Sequence, residues 1–128
     1  MVPLLLTGRV ERGEGIATSL GCPTANIAVE HGVIIPALGV YTGETIFEGQ
    51  NFPSVVCVND GRTGINLKLE VHLLDVCKDL TGKFLSVRLL EKARDLVPWE
   101  GDEQMRMLIT QDLDKARAWF SKRAAVSS

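Results

Sequence analysis

The sequence predicts a mainly β domain, a small antiparallel barrel closed or flanked by one C-terminal helix. Three observations carry that expectation. Short apolar or alternating segments are cut by frequent turn signals. One segment, Ile65 to Asp75, alternates at period two. The end of the chain then changes period to three and four, as a helix does.

The turn signals are Gly13 to Gly15, Glu48-Gly49-Gln50-Asn51, Asp60-Gly61 and Thr81-Gly82. They leave room for strands near Leu4–Glu11, Gly39–Phe47, Ser54–Asn59 and Phe84–Leu90. In the alternating strand Ile65, Leu67, Leu69, Val71 and Leu73 share one face. Asn66, Lys68, Glu70 and His72 share the other, the pattern of a half-buried strand. Met105, Leu108, Ile109, Leu113, Ala116 and Phe120 then mark one stripe of a helix. Asp102 is its candidate N-cap, and Glu103 suits the positive first turn. Strands followed by one terminal helix give the barrel-and-helix architecture.

The 128 residues make one domain, 1–128, with 45% hydrophobic and 23% charged residues, an ordinary globular composition. A formal charge of −2 argues against a nucleic-acid binder, which needs a basic stripe for phosphates. Aromatic residues are 5% of the chain, too few for a stacking platform. The apolar run Val2 to Leu6 is far short of the roughly 20 residues that span a bilayer. No basic residue precedes it, so it does not read as a signal peptide. Cys22, Cys57 and Cys77 form no CxxC pair and suggest buried thiols in a reducing cytoplasm. His31 and His72 show no metal-ligand spacing, which argues against a zinc site. Trp99 and Trp119 read as packing residues, although Trp99 sits in an irregular segment able to cover a ring.

Three stretches hold candidate chemistry. Gly8 to Gly15, continuing to Leu20-Gly21, could form an anion nest of backbone amides, or simply a turn. Thr24 and Asn26 in Pro23-Thr24-Ala25-Asn26 offer two hard oxygens on one side of an extended chain. Mg²⁺ accepts such ligands when nucleotide phosphates supply the charge; the alternative is a Pro-initiated turn held by Asn26. Glu70 sits on the polar face of its strand, where a carboxylate facing a barrel mouth could take a proton from a substrate hydroxyl. It reads equally as a solvent-facing strand residue.

Taken in order, these stretches resemble the riboflavin kinase, or flavokinase, family from Gly8 to about Phe120. Leu20-Gly21-Cys22-Pro23-Thr24-Ala25-Asn26 resembles its LGxPTAN motif, and Gly39-Val40-Tyr41 its GVY strand. Glu70 to Asp75 resembles its EVHLLD strand. Asp79-Leu80-Thr81-Gly82 resembles DLYG with Thr81 for the tyrosine, and Asp112 to Arg117 resembles DxxxAR. The resemblance implies a six-stranded, Greek-key-like antiparallel barrel with a C-terminal α-helix. It implies transfer of the ATP γ-phosphate to riboflavin, giving FMN and ADP. Composition, charge and cysteine pattern add the expectation of a cytoplasmic protein, taken as a monomer, with no membrane or nucleic-acid partner. By motif, Thr24 and Asn26 would ligate Mg²⁺ and Glu70 would orient and deprotonate the hydroxyl. Gly13, Gly15 and Gly21 would lie along the phosphates, and Arg94, Trp99 and the terminal helix would flank the flavin. Two stretches depart from the family. Ile16-Ala17-Thr18 lacks the usual positive charge, and Cys57 to Gly64 lacks the Pro and Phe of an NIGxxPTF-like region. Both predict weaker nucleotide binding, and a catalytically weak flavin- or nucleotide-binding module on the same barrel is the alternative reading. The chain has no room for the adenylyltransferase half of bifunctional relatives.

Overall fold

The computed structural model describes residues 4–12, 25–28, 37–59, 68–74, 80–98 and 100–127. Six strands, β1 (Leu4–Arg12), β2 (Ala25–Ala28), β3 (Gly39–Phe47), β4 (Gln50–Asn59), β5 (Lys68–Leu73) and β6 (Phe84–Arg94), precede one helix, α1 (Asp102–Ser127). The strands close into an antiparallel barrel in the order β1-β2-β5-β4-β3-β6. In that order β5, β4 and β3 are consecutive neighbours and β6 returns beside β3, which is the Greek-key arrangement.

Period two decides the interior. Leu6, Val10, Ile27, Val56, Val58, Leu69, Val71, Leu85 and Val87 point inward and are all but inaccessible to water. Burying such side chains is the main favourable term, about 1.5–3 kcal/mol for each large aliphatic group. The β3–β4 hairpin turns on Glu48 and Gly49, with Phe47 paired to Gln50. Their φ values of 49° and 77° are both left-handed, as a two-residue type I′ turn requires, and Gly49 adopts this at no steric cost.

Four expectations shift. β2 is a strand where the sequence suggested an extended stretch or turn, because four residues are too few to show alternation. β4 begins at Gln50 rather than Ser54, with Asn51 and Pro53 drawn into the ladder with β3. β6 runs to Arg94 rather than Leu90. Register shifts between Val40 and Tyr41 and between Thr42 and Gly43 let it follow β3, and such bulges break the period that would have signalled it. Finally, Met105 N–H bonds to the Gly101 carbonyl at 3.2 Å, so Gly101 is the N-cap of α1 and Asp102 its first helical residue. The Gln104 side chain reaches back to the Glu100 N–H at 3.1 Å. Of the alternating segment, β5 ends at Leu73, and Ile65 to Leu67 and Asp75 lie outside the described residues.

A second apolar cluster lies on the outside of the barrel. Val40, Val55 and Leu74 pack with Ala116, and Cys57, Leu113 and Phe120 join them. This seats α1 against β3 and β4. Leu113, Ala116 and Phe120 belong to the stripe read from the sequence. The same seat also takes Asp112, a charged residue only 6% exposed.

Candidate active site

One outward-facing row of residues crosses the six strands from β1 to β6. Glu11 pairs with Asn26, and Asn26 with Glu70. Glu70 pairs with Cys57, Cys57 with Val40, and Val40 with Arg94. Their strand neighbours Ile27, Leu69, Val71, Val56 and Val58 face the interior, so this row projects from the outer wall. The polar face of β5 is therefore the outside of the barrel, and Glu70 stands on the wall rather than at a barrel mouth.

Glu70 is half-buried, with the Asn26 strand on one side and the Cys57 strand on the other. Burial pushes its carboxyl above the ordinary value, and the Lys68 charge pulls the other way. Burial pushes the Cys57 thiol up to about 11; Glu70 adds to this, and a hydrogen bond from Asn59 opposes it. Such a thiol is a poor nucleophile. His72, two residues along β5, is held below its ordinary value by burial, against an upward pull from Asp112.

Arg94 ends β6, and its guanidinium grips Asp112 of α1 as a fork. Nε donates to Oδ1 at 2.8 Å and Nη2 to Oδ2 at 2.7 Å. Nη1 donates to the Asp95 carbonyl at 3.1 Å. The pair lies beside Cys57, which feels both charges.

Of the residues singled out in the sequence, Asn26, Glu70 and Arg94 fall on this one belt. Gly13, Gly15, Gly21, Thr24 and Trp99 lie outside the described residues, as do Ile16 to Thr18. In the sequence Asp112 stands out only as the first residue of the DxxxAR-like stretch. The signal available was its place on the apolar stripe, four residues after Leu108 and four before Ala116. Among the described residues no group of three or more His, Cys, Asp or Glu could hold a metal ion. Asn26 offers a neutral, hard carbonyl oxygen. That donor chemistry fits a cation arriving with a nucleotide better than a resident metal.

The chain is thus a closed Greek-key barrel with a half-buried carboxylate beside an amide on its outer wall and a helix over the adjoining wall. The family model for riboflavin kinase, Flavokinase, matches residues 1–120, and the chain belongs to that family. The bifunctional riboflavin kinase/FMN adenylyltransferase of Escherichia coli K12 is 35% identical over 121 residues, which cover 92% of this chain and 38% of that protein. The chain thus spans well under half the length of that relative. A crystal structure of a macrolide-efflux protein from Streptococcus pneumoniae matches with a TM-score of 0.81 at 26% identity, covering 91% of this chain and 39% of the other. The riboflavin kinase of Trypanosoma brucei matches with a TM-score of 0.65 at 20% identity, covering 95% and 82%, and at that identity supports the fold alone. Among the described residues no helix is long and apolar enough to cross a membrane.

Proposed function

We propose that this chain phosphorylates riboflavin to FMN with MgATP, using Glu70 as the base. The observation that carries the reading is the register match of Asn26 and Glu70 on neighbouring strands of one outward belt. It sets an amide oxygen and a carboxylate side by side, the two groups this reading needs, within the family to which the chain belongs. The ribityl hydroxyl gives its proton to the Glu70 carboxylate as its oxygen attacks the γ-phosphorus. The bond from that phosphorus to the bridging oxygen breaks, and ADP leaves with the electron pair. Glu70 then releases the proton to water. Phosphoryl transfer of this kind needs mainly positioning and charge neutralisation. Thr24 and Asn26 would hold the Mg²⁺ that enters with the nucleotide, and that ion would supply the neutralisation. By the family motif, Gly13, Gly15 and Gly21 would lie along the phosphates, and Trp99 would flank the flavin.

The direct test is incubation with riboflavin and MgATP, with FMN followed by chromatography. Repeated turnover supports the kinase. Stoichiometric flavin binding without product supports a binding module, the reading favoured by Ile16-Ala17-Thr18, which brings no positive charge to the phosphates.

Two further outcomes follow from the residue roles. In Thr24→Val the Mg²⁺ concentration for half-maximal rate rises, and MgATP binding weakens more than flavin binding. An unchanged Mg²⁺ dependence would return Pro23-Thr24-Ala25-Asn26 to the status of a turn.

The second concerns pH. A base works only when ionised, so kcat/KM falls as pH drops through its pKa. Burial raises that pKa, and the acid limb of the profile therefore lies above the ordinary 4.5 of a glutamate. Lys68 lowers it, so Lys68→Met moves the limb further up. A limb that stays fixed or moves down in that variant means a different group titrates.

A further inference from the structure

The Arg94–Asp112 fork stands apart from the proposed chemistry, yet lies on the same belt as Glu70. From Arg94 the row passes through Val40 and Cys57 to Glu70 across three strand pairings. Asp112 comes down on that row from α1, beside Ala116 and Leu113, which close the apolar seat over Cys57 and Val40. Asp112 is too buried to meet a substrate. Both edges of the Arg94 fork, Nε with Nη2 and Nη1, are already engaged, by Asp112 and by the Asp95 carbonyl.

We infer that Arg94 and Asp112 act as one clamp, fastening α1 over Cys57 on the flank of Glu70, and that Arg94 is a positioning residue rather than a flavin contact. This rests on the kinase reading for its catalytic consequence, but the clamp itself does not. A bidentate guanidinium–carboxylate pair fixes orientation as well as distance. A half-buried pair of this kind is costly to break from one side. Replacing both members by apolar groups is nearly neutral, because no charge is left uncompensated. That asymmetry separates positioning from ligand contact.

The test compares Asp112→Asn, Arg94→Met and the double variant Arg94→Met/Asp112→Leu with the unaltered chain. Two quantities are read. One is FMN formation at varied riboflavin. The other is alkylation of Cys57 by iodoacetamide, mapped by peptide mass so that Cys22 and Cys77 are counted separately. In Asp112→Asn, Cys57 labelling rises at least about tenfold when compared at equal thiolate fraction, taken from the pH profile of alkylation in each variant, because Cys57 also feels the Asp112 charge directly; tenfold is the change given by a loss of about 1.4 kcal/mol in α1 docking. In the same variant kcat/KM for riboflavin falls by about ten- to a hundredfold. The double variant regains both protection and kcat/KM.

Labelling and kcat/KM both unchanged in Asp112→Asn overturn the inference, as does labelling that rises while kcat/KM holds. A double variant that regains protection but stays as slow as Arg94→Met makes Arg94 a ligand contact and also overturns it. If the double variant loses its circular dichroism, Asp112→Asn alone decides. If the unaltered chain makes no FMN, the kinase reading fails. Cys57 labelling then still judges the clamp, with no increase in Asp112→Asn refuting it.

Discussion

Replacing Glu70 with Gln lowers kcat by about 10²–10⁴-fold, the contribution of a well-placed general base. The substitution keeps the shape of the side chain and its place between the Asn26 and Cys57 strands, so riboflavin binding changes little. Stability moves the opposite way from activity. Burial raises the pKa of Glu70 in the folded chain. The folded state therefore holds its proton more tightly than the unfolded state does, and gains relative stability as pH falls through that pKa. Above it, the ionised carboxylate is a cost that Gln removes. Thermal unfolding of Glu70→Gln above that pKa thus occurs at the same temperature as the parent or higher. Near-normal kcat would take Glu70 out of the mechanism. A large fall in melting temperature would make it a structural residue.

The neighbouring position gives the reverse result. Leu69 points inward from the same strand and is 0% exposed. Leu69→Ala removes three buried carbons from a closed interior that has little room to collapse, and costs about 2–5 kcal/mol. In a domain of this size the melting midpoint falls by roughly 10 °C or more. Well below that midpoint kcat remains close to the parent's, because the cavity opens on the other side of the wall from Glu70. Calorimetry and turnover on the same sample check both halves. A kcat loss in Leu69→Ala as deep as in Glu70→Gln would mean that the interior packing sets the geometry of the belt.

The contrast between these two residues also marks what the sequence made legible. Alternation at period two separated Leu69 from Glu70 correctly, because the pleat puts successive side chains on opposite faces. It left open whether the polar face looked into a barrel mouth or out from the wall. β1, β3 and the start of β6 were readable for the same reason. β2 was too short to carry a period, and Pro53 disguised the first half of β4. The neighbouring of Asn26 and Glu70 depends on a ladder between strands some forty residues apart. No local pattern encodes that register, and the family resemblance alone hinted that the two belong together. Asp112 was hidden differently. A carboxylate on an apolar stripe is a local anomaly whose partner, Arg94, sits on a separate element. The N-cap at Gly101 was missed because Asp102 has the better capping side chain, while the backbone bond from Met105 decided the matter.

Closure of the barrel has a consequence for how this chain meets others. A strand with an unpaired side offers a row of amides and carbonyls to any extended peptide, and open sheets guard against this with lysines, prolines or short outer strands. Here each of the six strands has two neighbours in the same chain. β1, at one end of the sequence, is sealed by β6 from Leu4–Leu89 to Arg9–Phe84. The wall built from these two strands still shows Leu5 and Phe84 to solvent. Apolar side chains on an open sheet would invite another chain to add a strand. On this wall they have no free backbone beside them, so resistance to strand-by-strand aggregation comes from topology and the surface sequence is left free to vary.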